Sequence, residues 1–135
     1  MPGIHKLDDG NFLRAFQVID GVIQNNQPAF LFVWVGSVLA VVGAAVLSIW
    51  ELIGTDRLLM MAASLVYILG VQLPTVMVNI PLNNVLQKLN PGAMSDLSRE
   101  QERSGFERRW NRWNAIRTVC SIVASLLLLV LLLRL

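Results

Sequence analysis

The side chains with chemical reach in this sequence fall into two polar stripes set within otherwise apolar stretches. Gln72, Thr75, Asn79 and Asn83 are spaced three, four and four residues apart, so they share one helical face provided the chain bends only mildly at Pro81. Trp110, Trp113, Asn114 and Arg117 share a second face, continued by Ser121 and Ser125. A polar side chain in hydrocarbon costs free energy unless it finds a partner. The two stripes sit at similar depth and are expected to face one another. Arg117 would then rest on amides and carbonyls at the floor of a pocket walled by the Trp110 and Trp113 indoles, a site for a hydrophobic ligand. The same groups would serve equally well as interhelical hydrogen bonds, worth roughly 0.6–2 kcal/mol each, and the residues alone leave both readings open.

Other chemistries have little to build with. His5 is the only histidine and Cys120 the only cysteine, so neither a Ser/His/Asp set nor a metal cluster is expected, and no intrachain disulfide can form. Cys120 reads as a small buried side chain. His5 is the one side chain of general-base type, and no residue is an evident base by its surroundings in the sequence. Every acidic residue lies outside the apolar blocks, which argues against a proton-relay carboxylate of the kind pumps use. Gly36 and Gly43 lie within an apolar block as packing residues, with Ala40 and Ala44, and form no phosphate loop. The net charge of +2 gives nucleic acid no purchase as a partner.

The elements that must position these groups follow from the distribution of apolar residues. The chain has 135 residues, 55% hydrophobic and only 15% charged, against about a quarter charged in soluble domains. The excess is gathered into long uninterrupted blocks, so the expected architecture is all-α: a single membrane domain over 1–135 with three transmembrane helices and additional amphipathic ones. Residues 11–24 form an amphipathic helix, with Phe12, Phe16, Ile19 and Ile23 on one face and Arg14, Gln17, Asp20 and Gln24 elsewhere. It is too polar to span and is expected at the interface or against the spans. Pro28 suits the first turn of the next helix. Residues 29–50 and 58–80 are uncharged spans, the second bent at Pro74 and Pro81. A cytoplasmic amphipathic helix over 95–114, capped by Ser95 or Ser98, runs into the third span, 115–133.

Basic residues set the orientation. Lys6, Arg14, Lys88, Arg99, Arg103, Arg108, Arg109 and Arg112 fall on one side and Arg57 and Arg134 on the other. The positive-inside rule then places the 81–114 loop in the cytoplasm and the carboxyl terminus outside. The arginine cluster at 103–112 is most simply the cytoplasmic anchor, with attraction to anionic lipid as the next reading. No secretory signal precedes the first apolar run, so sorting rests on the internal spans of a multi-pass protein, with the bacterial inner membrane as the expected home.

The run Val76-Met77-Val78-Asn79-Ile80-Pro81-Leu82-Asn83, followed after a hydrophilic helix by Trp110-Asn111-Arg112-Trp113-Asn114-Ala115-Ile116-Arg117, resembles the anthrone oxygenase family of small membrane proteins. The likeness covers nearly the whole chain. Family members begin with a further membrane helix ending near a Met-Pro pair. This chain starts at Met1-Pro2, so the resemblance implies a four-helix bundle lacking its first helix. It also implies oxidation of a hydrophobic aromatic substrate, an anthrone, by molecular oxygen without metal or flavin. By that resemblance Asn79, Asn83, Asn114 and Arg117 supply polar contacts, and Trp110 and Trp113 the stacking wall. Beside the lipid bilayer, the expected partners are such a small molecule and a second copy or larger membrane complex. The alternative function is a non-catalytic accessory or assembly subunit of that complex.

Overall fold

The computed structural model describes residues 3–24 and 27–135, and helix is the only regular secondary structure among them. Three stretches are long and apolar enough to cross a membrane: Pro28–Glu51, Gly54–Gln87 and Asp96–Leu132. The first of these, 24 residues, rises about 36 Å at 1.5 Å per residue. Its most apolar window has none of its residues buried, and Phe32 is 80% exposed. A soluble protein does not leave such a continuous apolar surface in water.

The chain forms two compact units, one of Met1–Gln27 with Val76–Asn114 and the other of Pro28–Thr75 with Ala115–Leu135. In the second unit, α2 (Pro28–Glu51) packs on α3 (Gly54–Tyr67). Gly54 enters α3 with φ +52°, a left-handed conformation that favours glycine. Trp34 Nε1 donates to Gln72 Oε1 at 2.9 Å, and the Ser37 and Tyr67 hydroxyls lie 2.8 Å apart. Gln72 is therefore interhelical glue. Gly70 meets Cys120 so closely that an added Cβ would stand 2.5 Å from Cys120 Sγ. Among the described residues a Cβ added at Gly36 or Gly43, the expected small-residue face, would meet nothing from elsewhere within 4 Å, so close packing within this unit occurs at Gly70 instead.

Proline shapes the second apolar helix. Pro74 and Pro81 supply no N–H, and each would crowd the carbonyl four residues back. The helix responds by widening into π turns at Ile68–Gln72 and Thr75–Asn79, with the Leu73 N–H bonding the Ile68 carbonyl five residues earlier. Thr75 Oγ1 donates to the Val71 carbonyl at 2.6 Å. Pro81 then falls in the first turn of α4 (Ile80–Gln87), where its missing N–H costs least, and the helix continues past Ile80 to Gln87.

The first unit is built on α1 (Asp9–Gln24), α4 and the hydrophilic part of α5 (Asp96–Leu132). Asp8 caps α1 by accepting from the Asn11 N–H at 2.9 Å, and Ser95 caps α5 by accepting from the Ser98 N–H at 3.2 Å. Phe12, Leu13, Phe16, Leu86 and Phe106 form the core, with Trp110 packed against it. Phe16 meets Phe106 edge-on at 4.6 Å and Trp110 at 5.9 Å, the geometry that aromatic quadrupoles prefer.

Candidate functional site

The face that α1 buries keeps Phe12 and Phe16 of its apolar stripe but takes in Asp20 and leaves out Ile19 and Ile23. Phe12, Phe16 and Asp20 are each 5% exposed or less, whereas Ile19 is 55% and Ile23 43% exposed. Burial follows the i, i+4 row 12–16–20 because partners await Asp20 at its end. Gln24 Nε2 and Gln87 Nε2 donate to Oδ2 at 2.7 and 2.9 Å, and Asn83 Nδ2 donates to Oδ1 at 2.7 Å. A buried carboxylate demands such donors, and those recorded here are all neutral amides. The same amides bind α1 to α4. Gln87 Nε2 also donates to the Gln17 carbonyl, and Gln17 Nε2 donates to the Leu86 and Leu89 carbonyls at and just beyond the end of α4.

Asn83 carries the link to α5. Trp110 Nε1 donates to Asn83 Oδ1 at 3.1 Å. An indole N–H can only donate and a carboxylate oxygen only accept, so the Asn83 amide has one orientation that satisfies both neighbours. The chain of bonds Trp110–Asn83–Asp20 borders a cavity of about 350 Å³ that is lined otherwise by Gly3, Ile4, Phe16, Ile19 and Ile23. Its wall is almost wholly apolar, with Asp20 and Asn83 as the polar edge. Its volume falls at the small end of the roughly 300–1,000 Å³ typical of ligand sites.

Gly3 and Ile4, before α1, line this cavity, and the segment that carries them is tied down by one arginine. Arg103 donates to the His5 and Leu7 carbonyls, each at 2.7 Å, and to Asp9 Oδ1 at 3.0 Å, while its guanidinium lies 4.4 Å above the Phe12 ring. His5 Nδ1 stands 2.7 Å from Glu107 Oε1, and Arg103 Nε bonds Glu107 Oε2 at 3.2 Å. Burial alone would raise the Glu107 carboxyl, but hydrogen bonds and charge from His5 and Arg103 outweigh it and hold the group below the usual carboxylate range.

Of the six residues singled out in the sequence, the structure joins Asn83 and Trp110 directly. Asn79 is 3% exposed and neither atom of its amide has a hydrogen-bond partner, an uncommon state for a buried polar group. Trp113 and Asn114 lie half-buried along α5 in the first unit, while Arg117 belongs to the second unit and its buried Nε has no partner. Asp20, Gln24 and Gln87 were not legible as a cluster. The signal was faint: Asp20 lies one helical turn from Phe16, at the end of a row whose other members are aromatic. Among the described residues no three His, Cys, Asp or Glu side chains group as metal ligands.

Comparison with curated proteins and with solved structures returned no match. The profile of the family described as anthrone oxygenase matches residues 23–127, which takes in Asn83, Gln87 and Trp110 and begins three residues after Asp20. That match spans most of the sequence, and the chain belongs to the anthrone oxygenase family.

Proposed function

We propose that this chain is a multi-pass protein of the bacterial inner membrane that binds a flat hydrophobic aromatic ketone of the anthrone type in the cavity bordered by Trp110, Asn83 and Asp20. The bound ketone is oxidised by molecular oxygen without metal or flavin. Residues 81–114 face the cytoplasm and the carboxyl terminus lies outside. The observation that carries the reading is the cavity itself, an open apolar cleft with a single polar edge. Apolar walls take up a fused-ring substrate from the bilayer. The polar edge gives it one orientation, and Phe16 and the bond to Asn83 hold the indole of Trp110 in place.

The test is turnover in a defined membrane. Purified protein in lipid nanodiscs with anthrone in air is expected to form the quinone faster than empty nanodiscs do. Trp110→Ala is expected to weaken substrate binding about tenfold, the loss of one buried aromatic contact of about 1–2 kcal/mol. Quinone formation equal to that of empty nanodiscs overturns the reading.

A second reading is favoured by the open face of α2 at Gly36 and Gly43, which suits close approach of another membrane helix. Here the chain acts as an accessory subunit of a second copy or a larger membrane complex. Gly36→Ile with Gly43→Ile would then abolish co-purification of the partner and leave the monomer folded.

A further inference from the structure

We infer that Asp20 is the proton acceptor of the oxidation, an assignment that rests on the aromatic-ketone reading above. Among the acidic residues it alone combines burial with a place on the cavity wall. Asp8 caps α1, Asp9 and Glu107 are paired with Arg103, Asp56 is paired with Arg134, Asp96 with Arg99, and Glu51, Glu100 and Glu102 are exposed. Asp20 is 5% exposed, lines the cavity, and takes its recorded hydrogen bonds from amides and none from a cation. Oδ2 accepts two of them and Oδ1 one. A carboxylate oxygen has about two acceptor positions, so among the described residues Oδ1 keeps one for a proton. Three amides fix the carboxylate in place, which keeps that lone pair in a set direction as a general base requires.

The step balances with dioxygen as the oxidant. Asp20 Oδ1 takes one hydrogen of the ring CH2 as a proton, and the C–H electron pair spreads into the ring system onto the ketone oxygen. Dioxygen accepts this pair one electron at a time and bonds to the ring carbon. The proton on Asp20 passes to the outer oxygen and gives a hydroperoxide. Asp20 then removes the second ring hydrogen. That C–H pair becomes the second bond of a new carbonyl, the O–O bond breaks, and the departing hydroxide leaves with the proton as water. One dioxygen enters, one carbonyl and one water result, and the substrate loses four electrons while dioxygen gains four.

Proton removal can be watched apart from oxygen chemistry. Anthrone is held with the protein in nanodiscs in deuterated buffer under argon, exchange of its ring CH2 is followed by mass spectrometry, and air is then admitted. The wild-type protein is expected to speed exchange over empty nanodiscs. Asp20→Asn is expected to lose both exchange and quinone formation by about 100-fold or more, while tryptophan quenching by anthrone gives a Kd changed by less than about threefold. Asp20→Glu, which keeps a carboxylate, is expected to recover part of the exchange. An Asp20→Asn protein that exchanges and turns over like wild type overturns the assignment. So does a wild-type protein that makes quinone in air yet leaves exchange at the empty-nanodisc rate, a result independent of how any variant folds. A wild-type protein that neither binds nor oxidises anthrone sinks the functional reading instead.

Discussion

Replacing Asn83 by leucine removes two hydrogen bonds at once and keeps the side-chain volume roughly constant. Asp20 Oδ1 loses its amide donor at 2.7 Å and the Trp110 indole its acceptor at 3.1 Å. A bond to a carboxylate contributes about 1.5–3 kcal/mol and a neutral one about 0.5–1.5 kcal/mol. Asn83→Leu is therefore expected to cost about 2–4 kcal/mol, because leucine offers neither group a replacement. Trp110→Phe removes only the second bond, at about 1 kcal/mol beyond the loss of indole packing. The two changes share one bond, so the double variant should be more stable than the sum of the singles by about 0.5–1.5 kcal/mol. Denaturant titration of the four proteins in one detergent, followed by helical circular dichroism, measures all three quantities. An Asn83→Leu protein within about 0.5 kcal/mol of wild type, or strict additivity with Trp110→Phe, would refute the idea that one amide links carboxylate and indole.

Three further outcomes are expected. Gly70→Ala should destabilise by about 1–3 kcal/mol through overpacking against Cys120, whereas Gly36→Ala should be neutral within about 0.5 kcal/mol, since among the described residues a Cβ added there would meet nothing from elsewhere within 4 Å. Arg103→Met should free the segment before α1, seen as faster tryptic cleavage after Lys6, because the guanidinium holds the His5 and Leu7 carbonyls. The Glu107 carboxyl is held below its ordinary range, so its contribution to stability is present above the ordinary glutamate pKa of about 4.3 and is lost as pH falls through the lower folded value. The stability gap between wild type and Glu107→Gln should accordingly be full near neutrality and close in strong acid.

Most of the fold is written in the hydropathy of the chain. The block from Ala29 to Trp50 is long and uncharged, and only helix satisfies its backbone in hydrocarbon. The cap at Ser95 is equally legible, because local chemistry decides it. Two things were not. At α-helical spacing the polar stripe of the second span makes one face, but the π turns around Pro74 reset that spacing. Gln72 bonds Trp34 in one unit, and Asn83 bonds Asp20 and Trp110 in the other. The burial of Asp20 on α1 escapes the pattern because periodicity weighs an aspartate as a solvated residue. Its burial depends on three amides, two of them more than sixty residues away in sequence, and no local pattern reports such a partnership.

The occupant of the cavity can be marked covalently. Wild-type protein in nanodiscs is irradiated with an anthrone carrying a small photoreactive group, and the labelled peptides are mapped by mass spectrometry with unlabelled anthrone as competitor. The account predicts competed label on Ile4, Ile19, Ile23 or Trp110, the residues that line the cavity with Asp20 and Asn83. Label that resists competition, or that falls only on Pro28–Glu51, would contradict it.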